Sequence, residues 1–288
     1  MFDHILIPLD GSPLAEQVLP YGRQIAAACG ARIELISAVH GEDLPEEALA
    51  EVEQERRDYL SGIAGAMPAA FTPTWLCRLG QPAEVIVDHA GSGPGTLIAM
   101  ASHGRSGLQR WFLGSVAHKV VQAAETPVLL LPSGATSPDG GPVEFERIII
   151  PLDGSALAEH VLDHAVALCR CLDMELILVR AYNPSFPGAS VRMKAVSAIV
   201  HDAAENYLQY VQQRLQAQGV KRLSCRVLRG VPAEQITRCA LETPNSLTAM
   251  CTHGRHGVGR WVLGSVTDAV IHSAEEPVLV IPAPAGET

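Results

Sequence analysis

The chain reads as an α/β protein built from two tandem doubly wound parallel five-stranded sheets, each with strand order 3-2-1-4-5. Three observations predict this. Short apolar runs alternate with stretches of helical periodicity along all 288 residues, the signature of βαβ units and a parallel sheet. The runs rich in Ile, Leu and Val are nearly unbroken by polar residues, as in strands covered on both faces. The whole pattern then occurs a second time. Residues 101–116 (ASHGRSGLQRWFLGSV) and 251–266 (CTHGRHGVGRWVLGSV) match at ten of sixteen positions.

In the first copy, strands are expected near 4–9, 32–39, 71–78, 96–101 and 127–131, and helices near 13–29, 43–65, 82–90 and 113–124. The second helix is strongly charged, which suits a solvated outer face. The second copy repeats the order, with a longer second helix around 190–218. Its first strand restarts the run Pro8-Leu-Asp10-Gly-Ser12 as Pro151-Leu-Asp153-Gly-Ser155, and Gly80-Gln-Pro82-Ala-Glu84 returns as Gly230-Val-Pro232-Ala-Glu234. The offset grows from 143 (Asp10 to Asp153) to 150 (Ala101 to Cys251), so the second copy carries extra residues between its first and fourth strands. Residues 133–143 have turn and linker composition. They divide the chain into domains at 1–132 and 144–288.

Composition narrows the function. A formal charge of −10 argues against a nucleic-acid partner, since phosphate backbones need clustered Lys and Arg. No apolar run reaches the ~18–20 residues that span a bilayer. The chain starts directly on a strand, without a basic leader, so a cytoplasmic location is expected. The seven cysteines lack a CxxC pattern and mostly sit inside apolar runs, which reads as buried reduced thiols.

The unusual residues gather where the strand order reverses, between the ends of strands 1 and 4, the usual ligand crevice of an open parallel sheet. No Asp or Glu occurs from Ala101 to Ala124, whereas Arg105, Arg110 and Lys119 do. The stretch from Cys251 to Thr267 is likewise acid-free and holds Arg255 and Arg260. Gly104 and Gly254 permit close approach of main-chain amides. Gly114-Ser115 and Gly264-Ser265 stand where the last helix of each copy begins, and free N–H groups there favour an anion. Asp10 and Asp153 end strand 1, each followed by Gly-Ser; the Asp or the Ser can cap the next helix, and Ser12 can cap while Asp10 bonds the nucleoside end of a ligand. His103 and His253 precede the loop glycines and read as polar lining. Trp111 and Trp261 read as packing residues. His160 and His164, four apart on a helix, could share a metal, but no carboxylate or Cys motif accompanies them.

At these residues the chain resembles the universal stress protein family in its tandem form. Gly104 and Gly254 are each followed by nine residues and then Gly-Ser, as in the family's nucleotide motif. The resemblance covers nearly everything outside the linker and implies an adenine-nucleotide α-hydrolase-like fold. It implies ATP, with or without Mg²⁺, held in the first copy by Asp10, strand 2 near Val39, Met100, Ala101, His103, Gly104, Arg105, Gly114, Ser115 and Val116. In the second copy the positions are Asp153, Arg180, Met250, Cys251, His253, Gly254, Arg255, Gly264, Ser265 and Val266. Arg180 departs from an apolar position, and Ala101 and Cys251 replace the motif's first glycine. The implied function is a nucleotide-binding stress-response module, at most a slow ATPase. Its halves are expected to associate as a pseudo-dimer through their last strands, with a homodimer of chains as an option. Two alternatives stay open: a nucleotide-free dimerising scaffold, and an enzyme that adenylates an acceptor. The second would use a Ser-Gly-Gly-x-Asp-Ser loop after strand 1, which is absent.

Overall fold

The computed structural model describes residues 2–41, 45–91, 95–102, 113–132, 144–183, 191–255 and 261–283, with only the backbone at 191–195, 253–255 and 261–262. The chain forms two compact units, one over residues 1–144 with 254–262 and one over 145–253 with 263–288. Each is an α/β unit around parallel strands.

The first unit runs β1 (His4–Pro8), α1 (Pro13–Glu16), α2 (Leu19–Cys29), β2 (Arg32–Val39), α3 (Glu46–Ala66), β3 (Thr74–Leu79), α4 (Pro82–Ala90), β4 (Thr96–Ala101), α5 (Ser115–Ala123) and β5 (Val128–Leu131). Its strands lie in the order β3-β2-β1-β4-β5, all parallel. Helix α2 packs on β1 and β2, α3 on β2 and β3, and α4 on β2, β4 and α5. The chain steps one way from β1 to β3 and then back past β1 to β4 and β5, and the right-handed rule for such crossovers puts α2 and α3 on one face and α4 and α5 on the other. Ile5, Leu6 and Ile7 of β1 are wholly buried, and all six residues of β4 are buried. Covering on both faces explains their lack of alternation.

The second unit repeats the plan. It runs β6 (Arg147–Pro151), α6 (Ala156–Glu159), α7 (Val161–Leu172), β7 (Glu175–Tyr182), α8 (Val191–Ala217), β8 (Leu223–Arg229), α9 (Pro232–Leu241) and β9 (Ser246–Cys251). Two short paired strands follow in the chain, β10 (His253–Arg255) and β11 (Trp261–Val262), of which residues 254–262 group with the first unit; the second unit then ends on α10 (Ser265–Ser273) and β12 (Val278–Ile281). The main strands take the order β8-β7-β6-β9-β12, again all parallel.

Some boundaries differ from those the sequence suggests. The helix expected over 13–29 is two helices, broken at Gln17 and Val18. Pro20, near the start of α2, has no amide to continue α1. The same break stands at His160, where Asp163 replaces the proline, so proline is not its sole cause. Strand β3 starts at Thr74 because Pro73 cannot donate to the ladder. No helix among the described residues is long and apolar enough to cross a membrane. All seven cysteines are free thiols.

The two units differ before their last strands, where Thr126 is buried and Glu276 takes the matching place. Burial, with Glu275 beside it, pushes the Glu276 carboxyl up to about 7. A carboxyl raised above its unfolded value stabilises the fold below its ordinary pKa, and that contribution is lost as pH rises through about 7. Glu276→Thr is therefore expected to raise the urea midpoint at pH 8 more than at pH 5. Equal shifts at both pH values would refute the assignment.

Candidate functional site

In the first unit, the turn after β1 organises one side of a cavity. Gly11 has φ 80°, a left-handed conformation open to glycine. It lets the chain reverse so that Asp10 Oδ1 accepts from the Ser12 amide (2.9 Å) and the Ser12 hydroxyl (2.6 Å). The Ser12 hydroxyl oxygen in turn accepts from the Ala15 amide at 3.2 Å and caps α1. The second unit repeats the device: Gly154 has φ 91°, Asp153 Oδ1 accepts from Ser155 at 2.9 and 2.6 Å, and Ser155 caps α6 at 3.1 Å. Burial pushes the Asp153 carboxyl up. The Ser155 bonds and the Arg180 charge outweigh it and hold the group below the usual carboxylate range.

The opposite wall is a helix start. Helix α5 opens on Gly114 (φ −58°, ψ 149°) and α10 on Gly264 (φ −62°, ψ 146°), and no side chain caps either. A glycine cap leaves the first-turn amides of a helix without a side-chain oxygen. Ser12 and Ser155 do cap their helices, so the contrast lies within each unit. Between these walls the first unit holds a cavity of about 320 Å³ and the second one of about 300 Å³.

The first cavity joins Asp10, Met100, Ala101, Gly114, Ser115 and Val116. The second joins Asp153, Met250, Cys251, Ser265 and Val266, without Gly264. Their remaining lining is mostly apolar and matched: Pro8 and Pro151, Ala38 and Ala181, Pro82 and Pro232, Ile86 and Ile236. The repeated Gly-x-Pro-Ala-Glu run was the signal for Pro82 and Pro232. No local signal marked Ala38 and Ala181, since most residues of β2 and β7 are apolar. His103, Gly104 and Arg105 lie outside the described residues. His253, Gly254 and Arg255 form β10 and are described by backbone alone.

Val39 and Arg180 are placed differently from the strand-2 wall expected of them. Val39 is buried and does not line the cavity. The Val39 carbonyl accepts from Gly80 (3.0 Å) and the Tyr182 carbonyl from Gly230 (2.9 Å). Val39 thus corresponds to Tyr182, and Arg180 to Ser37. One step along a strand moves a side chain to the other face. Ala38 and Ala181 take the wall position instead.

Neither Ala101 nor Cys251 has a positive φ, and both lie in regular parallel pairing. Their Cβ atoms therefore bring bulk to the cavity without backbone strain. Burial pushes the Cys251 thiol up to about 12, so it is neutral at pH 7. His160 and His164 stand edge to face with ring centroids 5.8 Å apart. Among the described residues no third ligand joins them.

Comparison with known proteins agrees with this architecture. A model of the Universal stress protein family matches residues 1–132 and 144–282. Universal stress protein MJ0531 of Methanocaldococcus jannaschii is 32% identical over 146 residues, covering 50% of this chain and 85% of that protein. Universal stress protein MT2698 of Mycobacterium tuberculosis is 24% identical over 309 residues, covering 96% of this chain and 95% of that one. Among solved structures, a universal stress protein from Archaeoglobus fulgidus superposes with a TM-score of 0.72 at 21% identity, covering 97% of this chain and 98% of that one, a likeness of fold. With the family model spanning both units and their matched crevices, the chain belongs to the universal stress protein family, in a form that carries two family domains in tandem.

Proposed function

We propose that the protein binds ATP in both crevices and acts as a nucleotide-dependent regulatory module of the stress response. The observation that carries this reading is the pair of uncapped helix starts at Gly114 and Gly264, each opening on a cavity with a carboxylate at its other side. Main-chain amides at the start of α5 or α10 would hold the phosphates. Ile36, Ala38, Ile86 and Met100 supply an apolar slot for a flat base. Asp10 or Asp153 would accept from a nucleoside hydroxyl or amine. Heat release and chromatography of the purified protein test the reading. Bound adenine nucleotide, or calorimetric binding of added ATP, supports it. Absence of both rejects it.

The two sites are unequal. The first turn of α5 holds no acid, whereas that of α10 holds Asp268. A carboxylate near a phosphate-binding helix start opposes the anion, an effect of about 0.3–1 kcal/mol. His272 Nδ1 lies 3.4 Å from the Asp268 carboxylate. Site one is expected to bind ATP more tightly than site two. Asp268→Asn should tighten site two by roughly two- to fivefold, read by ATP titration of a Gly114→Asp background. Unchanged or weaker binding would count against the ranking.

A further inference from the structure

Each unit brings one arginine to the turn that carries its strand-1 aspartate, but from a different element. In the first unit Arg56, on α3, donates from Nη1 to the Asp10 carbonyl oxygen at 2.6 Å. In the second unit Arg180, on β7, reaches the turn. Its Nη1 lies 3.1 Å from where a Cβ on Gly154 would stand, and its guanidinium sits 4.6 Å over the Tyr207 ring. Arg180 also helps hold the Asp153 carboxyl low, after burial and the Ser155 bonds have acted.

The two helices can be matched residue by residue. Leu60 and Leu208 are both wholly buried. One residue earlier, Tyr59 donates to Glu16 Oε1 (2.9 Å) and Tyr207 to Glu159 Oε1 (2.8 Å). Arg56 therefore corresponds to Ala204, which is 2% exposed, and Arg180 corresponds to Ser37, which is 1% exposed. Where the helix supplies the arginine, the strand position is a small serine. Where the strand supplies it, the helix position is an alanine. The volume and the charge have changed places together.

We infer that Arg56 and Arg180 are equivalent positioning residues, each fixing the Asp-Gly-Ser turn so that its carboxylate meets the nucleoside, and that the role can be moved between strand and helix. The inference rests on the nucleotide reading above. Its chemistry is simple. A guanidinium holds a carbonyl or carboxylate in one geometry through several donors, and a preset carboxylate spares the ligand the cost of ordering the loop. The two placements differ in one respect: Arg56 bonds the carbonyl of Asp10, whereas Arg180 acts on the Asp153 carboxyl.

The test uses the full chain with one site silenced at a time. In a Gly264→Asp background, which reads site one, Arg56→Ala should weaken ATP binding roughly fivefold or more. The double change Arg56→Ala/Ser37→Arg, which copies the second unit, should recover it to within about twofold. In a Gly114→Asp background the reverse exchange, Arg180→Ser/Ala204→Arg, should rescue the loss caused by Arg180→Ser. If one exchange fails to fold by circular dichroism, the other still decides. A loss without rescue in a folded exchange, or no loss on removing either arginine, overturns the inference. A second readout needs no nucleotide: carbon NMR titration should show the Asp153 carboxyl rising on Arg180→Gln and staying low on Arg180→Lys. A parent that binds no ATP, with this NMR shift present, sinks the nucleotide reading and leaves the positioning of the turn standing.

Discussion

Gly114→Asp is expected to abolish ATP binding at site one while leaving the fold intact or slightly more stable. The position has φ −58° and ψ 149°, a conformation that any L residue adopts. Aspartate is among the preferred residues at a helix cap, and replacing glycine there is worth a few tenths of a kcal/mol. The new carboxylate would accept from the amides that the phosphates are proposed to use and would repel them as well. Charge-assisted hydrogen bonds contribute about 1.5–3 kcal/mol each. Losing two of them amounts to a fall in affinity of roughly a hundredfold or more. Calorimetry should find the remaining binding confined to site two, with a melting temperature no lower than that of the parent. Full ATP affinity at site one in this variant would remove the helix start from the mechanism.

The largest stability effect is expected from the centre of the second sheet. Ile149, in the middle of β6, is wholly buried and packs with Ile177, Val179, Cys239 and Ala240. Ile177 and Val179 belong to β7, Cys239 and Ala240 to the covering helix α9, and β6 itself is pinned on both edges by β7 and β9. Such a site cannot collapse to fill a void, so Ile149→Ala should cost about 2–5 kcal/mol. For a unit of this size that corresponds to a drop in melting temperature of about 2–4 °C for each kcal/mol. Ile149→Val should cost only about 0.5–1.5 kcal/mol. Denaturant midpoints at constant slope would show it. A loss under 1 kcal/mol for Ile149→Ala would mean that the core here is looser than its burial indicates.

Much of the architecture was readable before any coordinates. The strand runs His4–Pro8, Arg32–Val39 and Thr96–Ala101 are apolar enough, and short enough, to be strands on composition alone. The repeat of Asp-Gly-Ser, Gly-x-Pro-Ala-Glu and Gly-Ser placed two crevices at matched positions, because each motif answers a local demand of backbone or cap. Ser12 and Ser155 as caps followed from the same local logic. The strand-2 wall did not. In β2 and β7 most residues are apolar, so the pattern carries no phase, and a choice of Val39 over Ala38 has no local signal. The break at Gln17 and His160 was equally silent, since both stretches keep helical periodicity across it.

What the sequence determined by itself is the set of features that depend on a few adjacent residues: strand and helix succession, the glycine turns after β1 and β6, and the Gly-Ser starts of α5 and α10. What only the tertiary structure decided is which side chains from distant elements meet at those turns. The face of a strand is set by pairing with its neighbours, and residue types alone leave that choice open in a sheet buried on both sides. A long arginine can reach the same turn from a strand or from a helix, so Arg56 and Arg180 became comparable only once the packing around Asp10 and Asp153 was known.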